Sequence, residues 1–294
     1  MNQARVAASE RRFPYFATLP AILVIFLIGF LPAMYTFVIS LQDFDFVSPV
    51  RSFVGLRNYL HLLQDVRYLH SLVFSLAFAF VATLLELVLG FLIAYALSAK
   101  DVPRRFSSAI RTILMVPFVC APVVMSNTFK TLIYDRTFGY MNYFLGLLGL
   151  GHFDLFVGYV NAPFGLLVME VFLRAPFLVI IMYAGISSID VAVYDAAEID
   201  GITMVQKMTK IIIPSIRAII IVGFVLRFMD ALKMFDEIFV LTSGGPGYMT
   251  ENTTVFIVDQ GFTFFHMGYA AAAAFLFSVL VVLLISLLIR RTEF

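Results

Sequence analysis

The stretch Ser188-Ile189-Asp190-Val191-Ala192-Val193-Tyr194-Asp195-Ala196-Ala197-Glu198-Ile199-Asp200-Gly201, followed by Ile202 through Lys210 and then Ile211-Ile212-Ile213-Pro214, reads as helix, break, helix. Ser188 or Asp190 can cap the first helix, because a short polar side chain accepts from the unpaired amides of a first turn. Asp195-Ala196-Ala197-Glu198 favours continuation, and Gly201 supplies the backbone freedom for a stop. The second helix runs toward Pro214. Small side chains at the tip of such a projection let a partner surface approach closely. A helical surface loop with no partner fits the same residues equally well.

On either side of this polar segment the chain is apolar. Of its 294 residues 62% are hydrophobic and 13% charged, with a mean hydropathy of +0.97, well above an ordinary soluble domain. A bilayer core about 30 Å thick takes roughly 20 apolar residues per helix, which leaves room for about six spans in one polytopic domain. Hydropathy places them near Ala17 to Ser40, Ser71 to Ala99, Ile110 to Tyr134, Phe164 to Ser187, Ile216 to Leu241 and Tyr269 to Leu288, with residues 189–214 between the fourth and fifth. The first is too long for a signal peptide and lacks a small-residue cleavage site, so it is expected to be retained.

Basic residues sort by connection. Arg5, Arg11 and Arg12, then Lys100, Arg104, Arg105 and Arg111, then Lys207, Lys210 and Arg217, and finally Arg290 and Arg291 fall on one side. Arg51, Arg57, Arg67, Lys130 and Arg136 fall on the other, and Arg174, Arg227 and Lys233 lie within spans. By the positive-inside rule both termini are expected in the cytoplasm, as is the segment quoted above. On the other side, Leu41 to His70 is long enough to cap a face, with turns marked by Asp43, Asp45 and Pro49. Thr242-Ser243-Gly244-Gly245-Pro246-Gly247 opens a further connection that no regular helix tolerates.

The spacing of the quoted segment resembles the EAA motif of ABC importer permeases. There an acidic-Ala-Ala triplet is followed after three residues by Gly, and after nine more by Ile-x-Leu-Pro. Asp195, Ala196, Ala197, Gly201, Ile211, Ile213 and Pro214 occupy those positions, with Asp195 standing for Glu and Ile213 for Leu. Phe53-Val54-Gly55-Leu56-Arg57-Asn58-Tyr59, Phe235-Asp236-Glu237-Ile238 with Leu241 to Pro246, and Gly268-Tyr269-Ala270-Ala271-Ala272 resemble signatures of the carbohydrate branch, the maltose and glycerol-phosphate type. Phe129 stands where that branch usually has Trp.

The resemblance implies an all-α membrane fold of six helices with a cytoplasmic coupling helix, in a bacterial inner membrane. It also implies a second homologous permease as heterodimer partner, two copies of an ATP-binding subunit, and an extracytoplasmic solute-binding protein. Asp195, Ala196, Ala197, Glu198, Asp200, Gly201 and Pro214 would then dock into the ATPase. The solute would be a sugar, polyol, acidic sugar or glycerol phosphate.

Several chemistries lack their residues. No Gly-x-x-x-x-Gly-Lys-Ser/Thr sequence occurs, so ATP and magnesium belong to the partner and the chain carries no cofactor of its own. Cys120 is the single cysteine, and His61, His70, His152 and His266 are scattered, which argues against a disulfide, a metal site and a catalytic centre. A net charge of +1 offers no surface for nucleic acid.

Ionisable groups at membrane depth cost about 2.5–3.5 kcal/mol each on insertion scales, so each calls for a protein-facing or water-facing position. Glu170 and Arg174 are four apart and can neutralise each other; Arg227 and Asp230 repeat the pattern at three, with Lys233, Asp236 and Glu237 beyond. Glu86 in the second span and Asn127 with Lys130 in the third join the candidates. Asn127, Glu170, Arg174, Arg227 and Asp230 could contact a hydroxyl-rich solute, with Phe118, Phe224 and Phe228 as stacking faces. The same charges suit staples between helices or contacts to a second permease, equally for those of the fifth span, whereas Glu170 and Arg174 are read first as a staple. Arg227 mildly favours an anionic solute. A secondary transporter working alone on its midplane charges is the alternative reading, and an integral-membrane enzyme would need a catalytic cluster the sequence lacks.

Overall fold

Proline sets the first departure from a simple row of spans. In the computed structural model, which describes residues 18–47, 51–151, 153–154 and 160–290, the stretch expected as one third span is two helices meeting at 96°. Pro122 drives Ala121 out of the helical region, to φ −59° and ψ 133°, and Cys120 is extended beside it. Pro117 has already removed one donor from the preceding turn.

In chain order the helices are α1 (Thr18–Ser40), α2 (Arg57–Leu62), α3 (Val66–Leu97), α4 (Arg104–Val119), α5 (Pro122–Ile133), α6 (Tyr140–Leu147), α7 (Asn161–Ser187), α8 (Val191–Ile199), α9 (Met204–Ser215), α10 (Arg217–Leu232), α11 (Asp236–Leu241), α12 (Thr253–Val258) and α13 (Met267–Arg290). A short antiparallel ladder pairs β1 (Gln42–Asp43) with β2 (Ser52–Phe53). Helices α1, α3, α7 and α13 are each long and apolar enough to cross a membrane, and the bent pairs α4 with α5 and α9 with α10 bring the number to as many as six. Ala17, Arg5, Arg11, Arg12, Pro49, His152 and Arg291 lie outside the described residues.

Contacts divide the chain into two units. One comprises residues up to 65 with 257–279. In it, Asn58 at the start of α2 donates to the carbonyls of Ser40 and Gln42, and Tyr269 Oη donates to Asp65 Oδ2 at 2.7 Å. These bonds give internal roles to residues of two of the signature segments.

The second unit, residues 66–256 with 280–294, contains the main helix packing. Helix α3 lies against α7 and α10, and α7 also packs on α4. A Cβ at Gly90 of α3 would sit 2.8 Å from Leu178 Cβ of α7, so the two helices approach almost backbone to backbone there. Small residues are what permit such contact where lipid supplies no hydrophobic drive between helices.

The expected fifth span, Ile216 to Leu241, also divides. Helix α10 ends at Leu232, residues 233–235 are irregular, and α11 begins at Asp236. The carbonyl of Met234, freed by this break, accepts hydrogen bonds from Asn252 Nδ2 and from Thr254 Oγ1. The glycine-rich connection after α11 is irregular as expected, with Ser243, Gly244, Gly247 and Tyr248 at positive φ. Buried Glu251 anchors it, held by Arg67 through Nε at 2.8 Å and Nη2 at 2.5 Å.

Candidate functional site

Two places gather the polar residues singled out above. The first is the projection between α7 and α10. Asp190, rather than Ser188, caps α8, its Oδ1 accepting from Ala192 N at 2.9 Å. Gly201 ends the helix at φ +63°. The amide of Ile202 bonds the carbonyl of Ala197 and that of Gly201 bonds Glu198, the paired bonds of a Schellman stop. The reversal is sealed by a capping box in which Thr203 Oγ1 accepts from Gln206 N and Gln206 Oε1 accepts from Thr203 N. The Thr203-x-x-Gln206 spacing is the sequence signal for this cap.

Within this projection Ala197 is buried, while Asp195, Ala196, Glu198, Asp200, Gly201 and Pro214 are exposed. Lys100, from the connection before α4, bonds Asp195 Oδ1 at 3.1 Å and lies 3.1 Å from Glu198 Oε1. Bonds to Glu198 and Asp195 raise the lysine's pKa above its ordinary value. Around the glycine stand exposed apolar side chains, Ile199 at 86%, Met204 at 62% and Val205 at 68%.

The second place is a charge cluster where α3, α7, α10 and α11 meet. Arg227 Nε and Nη2 donate to Glu86 at 2.8 and 3.1 Å, and Nη2 also donates to Glu170 Oε1 at 2.9 Å. Glu86, Glu170 and Arg227 are all buried. Arg174 donates through Nη2 to Glu237 Oε1 at 2.5 Å. The expected Glu170–Arg174 pair is only a loose 3.9 Å contact, because each partner has a better-placed opposite charge on another helix. Arg227 and Asp230 do approach, at 3.5 Å, with Lys233 4.0 Å from Asp230.

A cavity of about 260 Å³ opens on this cluster, lined by Glu170, Arg174, Arg227, Asp230, Lys233, Asp236 and Glu237 with Pro122, Met234 and Phe235. Four acids and three bases thus share its wall. Of the sequence candidates, Glu170, Arg174, Arg227 and Asp230 are brought together there. Asn127 is exposed on α5 and does not line the cavity. Phe224 and Phe228 stack on each other at 5.7 Å and also lie off the wall, so Phe235 supplies its aromatic face. Phe118 stacks on Phe177 at 5.6 Å, its ring 5.9 Å from the Arg174 guanidinium. Glu237, named in the sequence only as one of the charges beyond Asp230, reaches Arg174 because α10 ends at Leu232 and α11 starts afresh at Asp236.

No family model matches the chain. The trehalose/maltose transport system permease protein MalF of Thermococcus litoralis is 32% identical over 260 residues, 88% of this chain and 85% of that protein. The trehalose transport system permease protein SugA of Mycobacterium tuberculosis is 27% identical over 277 residues, covering 91% of this chain and 84% of the relative. In structure, a chain of a bacterial ABC transporter involved in the import of the acidic polysaccharide alginate superposes with a TM-score of 0.81, at 20% identity and 98% coverage of both chains.

Proposed function

The chain belongs to the permease subunits of binding-protein-dependent carbohydrate ABC importers, and from that premise we propose how its parts divide the work. It is a multi-pass membrane protein and a non-catalytic subunit, which answers the alternative of a carrier working alone.

The projection from Asp190 to Pro214 is the docking element for an ATP-hydrolysing partner. The observation that carries this reading is the apolar rim of Ile199, Met204 and Val205, left exposed around the tightly stopped end of α8 and the capped start of α9. Exposed apolar clusters of this kind mark interaction surfaces. A helix capped at both ends and tied into the chain by Lys100 is rigid enough to transmit the partner's closure. On this reading the projection and both termini face the cytoplasm, two ATPase subunits lie beneath, and a second permease completes the membrane unit.

The solute is an uncharged, hydroxyl-rich sugar passing the cavity beside Asp230. Arg227 is 2% exposed and already engaged by three carboxylates, and Arg174 is held by Glu237, so of the three bases only Lys233, 4.0 Å from Asp230, faces the solute. The surplus of acid on the cavity wall repels an acidic sugar and offers acceptors to hydroxyls.

Reconstitution of the complete transporter in liposomes tests the assignment. Uptake is expected to require the ATPase and loaded binding protein, and to favour neutral over uronic saccharides. Uptake without the ATPase overturns the coupling assignment, and preference for a uronic saccharide overturns the charge argument.

A further inference from the structure

One buried acceptor in the charge cluster is left over. Glu170 is 2% exposed; its Oε1 accepts from Arg227, while its Oε2 closes no hydrogen bond with any described group. A buried carboxylate oxygen without a donor is costly. Arg174 Nε, one helical turn further along α7, stands 3.9 Å from it, about 1 Å beyond ordinary hydrogen-bond length. What keeps the guanidinium away is Glu237 of α11, whose Oε1 takes Arg174 Nη2 at 2.5 Å.

The two acids hold Arg174 in different ways. Glu170 shares its helix at i,i+4, so that seat stays beside Arg174 wherever the neighbouring helices lie. Glu237 comes from a separate helix of six residues, with irregular backbone at 233–235 before it and positive φ at Ser243 and Gly244 after it. Helix α11 packs on α5 as well as on α7, and Lys130 of α5 donates to the Val240 carbonyl at 2.9 Å. Helix α5 is itself set off from α4 by the 96° bend. A slide of α11 and α5 along α7 therefore carries Glu237 but not Glu170. Packed helices shift by about 1–2 Å without coming apart, which is enough to exchange the seats.

We propose that Arg174 is a positioning residue with two seats. Glu237 holds it in the arrangement seen here, and Glu170 Oε2 receives it when α11 slides. Glu237, which lines the cavity, is then released to water or a solute hydroxyl. Each arrangement keeps the arginine paired, so the two differ little in energy and a partner's closure can choose between them. The proposal deepens the reading of this cavity as the solute path and rests on it.

The test uses the complete transporter in nanodiscs, with ATP hydrolysis read first without and then with loaded binding protein. Glu237→Gln weakens the first seat and Glu170→Gln the second. The two variants are expected to displace the rate from the parent in opposite directions, about tenfold apart, the scale of one hydrogen bond to a charged group. Loss of a merely structural contact would move both the same way. Should Glu170→Gln fail to assemble, the reversed pair Arg174→Glu with Glu237→Arg keeps the first seat, abolishes the second and stands in for it.

Opposite displacements support the two seats. Displacements of the same sign, or a Glu170→Gln or reversed-pair rate equal to the parent, overturn them. The arm without binding protein contains no solute, so an error in the solute assignment shows in the selectivity of uptake and leaves this result standing.

Discussion

Arg227 grips both carboxylate oxygens of Glu86 along one edge of its guanidinium, Nε and Nη2, although 141 positions separate the two residues. The fork joins α10 to α3, and the same Nη2 reaches Glu170 on α7, so one buried cation ties three helices. Removing a single member of such a group strands the others. Arg227→Met leaves two buried carboxylates facing each other and is expected to destabilise the subunit by about 3–5 kcal/mol, seen as a lowered midpoint in thermal unfolding of the purified complex. Replacing all three residues together by apolar ones of similar volume should recover most of that loss. An unchanged midpoint in Arg227→Met alone would mean the cluster holds nothing together.

The local parts of this architecture were legible in the sequence, and the long-range parts were not. Asp190 and Gly201 announce themselves because capping and positive φ depend on neighbours within a few residues. The Glu170–Arg174 spacing correctly put two charges on one helix face, but spacing carries no information about Glu86 and Glu237, which approach from other helices and win the competition. Hydropathy averages over a window and so passed straight through the breaks at Ala121 and Met234. Pro122 was the visible warning for the first; nothing comparable marks the second, where the break is stabilised by residues near position 252.

Asp230 is the cavity acid most open to a solute, at 64% side-chain exposure. Asp230→Ala should therefore change stability by less than about 0.5 kcal/mol. Loss of a charged acceptor for a sugar hydroxyl is expected to raise the apparent KM of uptake about tenfold. Asp230→Asn, which keeps one acceptor oxygen, should recover part of it. Uptake unchanged across substrate concentrations would remove Asp230 from the solute path.

At Gly201 the backbone and the partner make separable demands. Its φ of +63° costs a residue with a Cβ about 1–2 kcal/mol, while a Cβ there meets nothing within 4 Å inside the chain. Asn adopts this conformation more readily than Ala. If backbone geometry alone matters, Gly201→Asn should keep more stimulation of ATP hydrolysis by loaded binding protein than Gly201→Ala. If a partner surface presses on this point, Gly201→Asn and Gly201→Trp should both insert normally yet uncouple hydrolysis from transport. Normal stimulation and uptake in Gly201→Trp would refute the docking assignment.

The Met234 carbonyl gives a sharper test of how the cavity is held open. Two side chains, Asn252 and Thr254, donate to this one buried acceptor, and the break it marks carries Glu237 to Arg174. Thr254→Val is nearly isosteric and leaves Asn252 in place, so it should cost only about 0.5–1.5 kcal/mol. Asn252→Ala costs more, since Asn252 Oδ1 also accepts from the amide of Val255 at 3.0 Å. Only the double variant orphans the carbonyl, which adds about 1–3 kcal/mol beyond the two single effects. A double-mutant cycle in thermal unfolding should show that excess, together with weakened uptake as α11 loses its register under Arg174. Thr254 Oγ1 also lies 2.8 Å from Asn252 Oδ1, a bond each single variant already loses, so any excess in the double variant comes from the carbonyl, and a cycle no more than additive would mean that Met234 finds another donor.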